Sequence, residues 1–209
     1  MNEGSKNTWR VFSAIDLPEP VRALVGQHIS ALRRAVPEGR ASWSRPEGIH
    51  LTLKFLGHIP IADVGKFSSA VGRAVESMPP FRLGIGGTGT FPPHGSTRVL
   101  WIGVHDSSGR LAELHERLEA ESAAAGFERE TRSFHPHLTL ARLRQHDRRM
   151  ERGDNTQQAR FLTAAHKEAL FPTVEITVSE LFVIRSELGS AGSKYTVISR
   201  HRLDGPDNL

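Results

Sequence analysis

The tetrapeptide His-Leu-Thr-Leu stands at His50–Leu53 and again at His137–Leu140. Extended backbone sends successive side chains to opposite faces, so each copy puts its leucines on one face and its histidine and threonine on the other. A chain carrying this segment twice must bury two leucine pairs and leave two imidazoles and two hydroxyls on the far side. Packing explains the repeated leucines but not the repeated polar face. Brought face to face, the two copies supply an acid, a base and two hydroxyl groups, which is the equipment for general acid–base attack on a phosphodiester.

The remaining composition narrows the setting. At 209 residues the chain is long enough for one large domain or two lobes sharing a core. No run approaches the eighteen or so apolar residues of a membrane span. Residues 1–8 are polar with no apolar signal segment behind them, so a cytoplasmic location is expected. With no cysteine, disulfides and thiolate chemistry are excluded. The balance of 27 Lys and Arg against 23 Asp and Glu, a net +4, suits an anionic partner such as RNA without requiring one. The basic stretch Arg142 to Arg152 reads as a solvated connection.

Periodicity predicts an α+β fold. Strands are expected at residues 9–15, 49–56 (stopped by Gly57), 81–85, 98–104, 137–143, 174–184 and 194–203. Helices are expected from Pro18–Pro20 to Leu32, from Asp63 to Val75, and over 108–125. The Gly- and Pro-rich stretch 86–97 reads as a loop, residues 189–193 read as a hairpin turn, and 153–167 is weakly helical and ambiguous. A helix precedes each repeat, and the repeats lie 137 − 50 = 87 residues apart. The expected architecture is therefore bilobal: two antiparallel sheets from pseudo-duplicated halves line a central cleft, with helices outside. A single domain of two lobes over 9–204 is expected, flanked by a disordered tail at 1–8 and a short tail at 205–209.

The flanking residues carry a resemblance. Arg10-Val11-Phe12-Ser13-Ala14-Ile15-Asp16-Leu17-Pro18, the run Arg45 to Gly57 around the first motif and Arg98 to Val104 form one part of the pattern. Phe134 to Arg142 around the second motif, Ser186-Glu187-Leu188-Gly189 and Lys194-Tyr195 complete it. In these segments the chain resembles the two-histidine (2H) phosphoesterases, and within them the RNA 2′,3′-cyclic phosphodiesterases historically called 2′-5′ RNA ligases. The resemblance implies His-x-Thr-x motifs on two sheets lining one cleft, with His50 as proton donor and His137 as proton acceptor. It implies hydrolysis of RNA 2′,3′-cyclic phosphate ends to 2′-phosphates; a monomer without cofactor or metal is expected. Small cyclic-phosphate nucleotides are alternative substrates.

Other residues are read around that pair. Thr52 and Thr139 are candidates to hold the non-bridging oxygens as charge develops. Lys54 shares the His50 face by alternation and is a candidate phosphate cation. The resemblance implies Arg142 as a second, at a place where the family sets a basic residue near the phosphate; strict alternation puts it opposite His137, so this requires the strand to end or bulge by Ala141. His135 shapes the mouth of the site. Trp43, Phe91 and Phe134 are candidates to stack a nucleobase or to fill the core. Three rivals compete: reversible 2′-5′ RNA ligation on the same scaffold, a metal site from His50, His135 and His137, and a non-catalytic RNA-binding module. The paired threonines have no purpose in the last two.

Overall fold

The computed structural model describes residues 7–143, 152–189 and 192–206. Nine strands are present among them: β1 (Thr8–Asp16), β2 (Ala41–Trp43), β3 (His50–Pro60), β4 (Phe81–Phe91), β5 (Val99–His105), β6 (His137–Leu143), β7 (Val174–Val178), β8 (Glu180–Gly189) and β9 (Gly192–Arg202). Four α-helices accompany them: α1 (Glu19–Ala35), α2 (Val64–Val75), α3 (Arg110–Ala124) and α4 (Arg152–Glu168). Pro20 at the start of α1 loses no helical hydrogen bond there, because a helix's first N–H groups have no internal partner.

The class is α+β, as expected, but the sheet is one and not two. Its strands run in the order β7-β4-β5-β6-β3-β1-β8-β9, with β2 added on β6, and it forms a single curled antiparallel layer. Two four-stranded halves meet where β3 pairs with β6 through Leu51 and Leu138. The physical reason lies in the leucines: Leu51, Leu53, Leu138 and Leu140 all enter the same core cluster, which draws the two strands edge to edge.

That core lies on one face of the sheet. Val25, Phe67, Leu114 and Leu162, one from each helix, are fully buried in it. Burying side chains of this size contributes roughly 1.5–3 kcal/mol each. Among the described residues, the opposite face carries a small separate group of Phe12, Ala14 and Ile184 and no helix of that cluster. It is on this open face that the histidines and threonines stand.

Several expectations are corrected. The stretch 86–97 is not all loop, because β4 runs on to Phe91 with a register shift between Ile85 and Thr88. Two of its glycines answer close approach: a Cβ on Gly86 would lie 2.7 Å from Thr173 Oγ1, and one on Gly89 would lie 2.1 Å from the Trp101 ring. β3 continues through Gly57, which sits at a positive φ of 69° where the register with β1 shifts. Residues 174–184 form two strands in opposite halves of the path, β7 beside β4 and β8 beside β1. The weakly helical reading of 153–167, by contrast, is borne out by α4. Strand β2 was not anticipated. Residues 1–6, 207–209, most of the basic stretch (144–151) and the tip of the β8–β9 turn (190–191) lie outside the described residues.

Candidate active site

Antiparallel pairing of Leu51 with Leu138 sets the geometry of the motifs. Continuing that register by one residue each way puts His50 across from Thr139 and His137 across from Thr52. Each histidine therefore faces the threonine of the other motif, about the leucine pair as centre. With ladder spacings of about 5 Å across and 3.3 Å per residue, the two histidine backbones lie roughly 8 Å apart on the diagonal.

Both rings are oriented in the same way. His50 Nδ1 donates to the Gly48 carbonyl at 2.8 Å, and His137 Nδ1 donates to the His135 carbonyl at 2.6 Å. A carbonyl only accepts, so Nδ1 carries the proton in each ring and Nε2 is left for chemistry. His135 thus contributes its backbone carbonyl.

The rings are also packed. Phe12 stacks on His50 with centroids 4.6 Å apart, and Tyr195 meets it edge-on at 5.3 Å. Tyr195 also covers Gly48, where a Cβ would come within 2.8 Å of the phenol ring. Phe91 meets His137 edge-on at 4.9 Å, and Trp101 lies at 6.3 Å. Burial pushes both imidazoles below their usual pKa of 6.5. Secondary influences differ. The bond to Gly48 and then the Asp16 carboxylate partly restore His50, whereas Arg142 and His135 depress His137 further against the bond to the His135 carbonyl.

The same bulge follows both motifs. Against β1, Ser13 pairs with Lys54 and Ala14 with Thr52, so Leu53 is the extra residue. Against β5, Leu100 pairs with Ala141 and Trp101 with Thr139, so Leu140 is the extra residue. Alternation reverses at each bulge. Leu140 and Ala141 both turn to the core, and Arg142 emerges exposed on the His137 face. The phase obstacle to Arg142 is thereby removed.

The same reversal moves Lys54 the other way. Its side chain is buried on the core side, where Nζ donates to both Glu119 carboxylate oxygens (2.9 and 2.8 Å) and to the Glu128 carbonyl (2.8 Å). The expectation that Lys54 shares the His50 face is corrected: the bulge hands that face to Phe55, which is 51% exposed.

Of the three aromatic candidates, Phe91 alone is brought against a motif histidine. Trp43 packs toward the core beside a pocket of about 570 Å³ lined by Arg33, Arg40 and the end of α1. Phe134 stacks on His115 of α3 at 4.0 Å. Sequence reasoning did not single out Phe12, Tyr195, Trp101 or Asp16. All four lay inside the segments that carried the resemblance, but nothing local marked them as neighbours of a histidine. Among the described residues no cluster of three His, Asp or Glu side chains is arranged to hold a metal.

A family model described as the 2′-5′ RNA ligase superfamily matches residues 20–190. The chain belongs to the 2′-5′ RNA ligase superfamily. Relatives of this superfamily member include the RNA 2′,3′-cyclic phosphodiesterase of Thermotoga maritima, 29% identical over 196 residues, covering 94% of the chain and 96% of the relative. The enzyme of the same name from Thermus thermophilus is 31% identical over 204 residues, covering 94% and 91%. Among solved structures, TT0787 of Thermus thermophilus matches with a TM-score of 0.70 and 28% identity, over 94% of this chain and 98% of that one. E. coli LigT complexed with 3′-AMP matches with a TM-score of 0.67 and 26% identity, over the same 94% and 98%. No helix of the described residues is long and apolar enough to cross a membrane.

Proposed function

We propose that this superfamily member hydrolyses RNA 2′,3′-cyclic phosphate ends to 2′-phosphomonoesters, as a cytoplasmic monomer needing no cofactor. His137 Nε2 takes a proton from water as the water oxygen bonds to phosphorus. The P–O3′ bond breaks, and protonated His50 Nε2 gives its proton to the departing O3′. The crossed arrangement of the two motifs carries this reading: with Leu51 paired to Leu138, the two histidines stand on neighbouring strands, which supports an acid and a base acting on opposite sides of phosphorus in an in-line displacement.

The surroundings support the division of labour. Asp16 favours the charged form of His50, which suits a donor; Arg142 favours the neutral form of His137, which suits an acceptor. Thr52 and Thr139 hydroxyls and the Arg142 guanidinium are assigned to the non-bridging oxygens. The curated names of the relatives point to the same substrate class.

The test is an oligonucleotide ending in a 2′,3′-cyclic phosphate, with the product isomer read by phosphorus NMR. A 2′-phosphate is expected, and a 3′-phosphate would reverse the orientation of the substrate. His50→Ala and His137→Ala should each lower the rate by roughly a hundredfold or more, as for loss of a positioned acid or base. Near-normal turnover in either folded variant would sink the assignment, and oligonucleotide joining without hydrolysis would favour ligation.

A further inference from the structure

The open face of the sheet does not end at His50. From Thr52 it passes laterally to Ala14 of β1 and Phe182 of β8, which the strand register pairs in turn, and Phe182 is paired with Arg200 of β9. One row farther along, Phe55, Phe12, Ile184 and Val197 are paired in the same order. At about 4.8 Å per strand, Phe182 lies about 10 Å from Thr52, beyond a phosphate held between the two histidines.

This surface is apolar beyond what the acid–base site requires. Three of the six exposed large hydrophobic side chains among the described residues lie on it: Phe55, Tyr195 and Val197. Phe182 is half-buried against the cluster of Phe12, Ala14 and Ile184. Arginines cover two of its rings. The Arg10 guanidinium is 4.7 Å from the Phe55 ring centre, and that of Arg200 is 5.6 Å from Phe182. Aromatic rings alternating with guanidinium groups, continuous with a phosphate site, are the chemistry that holds unstacked bases and the phosphates between them.

We propose that Phe182, Val197 and Arg200 form a second nucleotide subsite. It takes the nucleotide immediately 5′ of the one bearing the cyclic phosphate, so the preferred substrate is a single-stranded RNA end and not a free cyclic mononucleotide. The base lies against Phe182 and Val197, and Arg200 turns from the ring to the intervening phosphodiester. This inference rests on the functional reading given above, and it adds the length of substrate that the site reads.

The test compares kcat/KM for a 2′,3′-cyclic mononucleotide and for a trinucleotide ending in 2′,3′-cyclic phosphate, in the wild type, Phe182→Leu and Arg200→Ala. Leucine keeps the apolar packing beneath position 182 but offers no ring to a base. The wild type should prefer the trinucleotide by roughly fivefold or more, the scale of one stacked base. Each variant should lose most of that preference through KM, with a smaller loss on the mononucleotide. Arg200→Ala should also flatten the salt dependence of KM for the trinucleotide, as for one lost phosphate contact. Should Phe182→Leu fail to fold, the exposed Arg200 decides the matter alone. Equal use of both substrates by the wild type, or equal losses on both in Arg200→Ala, would overturn the second subsite and leave the hydrolytic reading in place. Failure to hydrolyse either substrate would overturn both.

Discussion

Replacing Lys54 by methionine tests the bulge directly, because it separates a phosphate-binding lysine from a buried one. In the structure all three Nζ protons are used, two on Glu119 and one on the Glu128 carbonyl. The side chains of Lys54 and Glu119 are only 3% and 4% exposed, and Glu119 also accepts from the Glu130 N–H. Methionine fits the channel of the lysine stem but strands the carboxylate with one protein donor. Breaking a buried pair from one side costs about 3–5 kcal/mol, chiefly the penalty of the orphaned charge. For a chain of this size each kcal/mol moves the transition by about 2–4 °C, so Tm should fall by roughly 6–20 °C. Lys54→Met combined with Glu119→Leu should recover most of the loss, leaving about 1–3 kcal/mol for the Glu130 N–H and the Glu128 carbonyl. Urea denaturation gives the stabilities, and cyclic-phosphate hydrolysis well below the transition gives the rates. Folded Lys54→Met should hydrolyse within about threefold of wild type, since a buried lysine behind the sheet contributes no transition-state charge. A loss of stability under about 1 kcal/mol together with a roughly tenfold loss of rate would refute this reasoning and return Lys54 to the phosphate.

The kcat/KM profile should be a bell with its optimum below pH 6.5, because burial lowers both imidazoles and one must be neutral while the other is charged. Asp16→Asn should move the alkaline limb to lower pH and Arg142→Met should move the acid limb to higher pH; if each shifts the other limb instead, the donor and acceptor are exchanged. Gly89→Ala forces a methyl into the Trp101 ring, beside Thr139 in the register, and should cost about 1–3 kcal/mol by overpacking. An unchanged thermal transition would show that this contact is not tight. Burial and the neighbouring His166 hold His28 down at about 4. Its contribution to stability should therefore be complete above pH 6.5 and lost as pH falls toward 4, by up to about 3 kcal/mol. His28→Gln should flatten that limb of the stability–pH curve, and an unaltered slope would exclude His28 as its source.

Much of the site was legible because it depends on local alternation. His50, Thr52, His137 and Thr139 share faces by backbone geometry alone, and the repeated leucines required both strands to reach a core. Alternation misled for Lys54 and obstructed Arg142, because a bulge is a property of strand pairing and leaves no mark in Leu53-Lys54 or Leu140-Ala141 themselves. The glycines of 86–91 read as a loop for a related reason. Gly89 is small because the Trp101 ring comes over it from the adjacent strand, and that contact exists only once the strands pair.

By itself the sequence determined the strand-forming motifs, the pairing of histidine with threonine, most of the helices and the family. Each follows from residues a few positions apart, where backbone geometry leaves few choices. The tertiary structure decided that there is one sheet with its helices gathered on one face, and that each histidine faces the other motif's threonine. It also carried Arg142 onto the His137 face, hid Lys54 in an ion pair, and brought Phe12 and Tyr195 against His50 from strands far away along the chain. These depend on register and on bulges, which are set when distant strands compete to bury leucines while keeping their hydrogen bonds, and no short segment contains that competition.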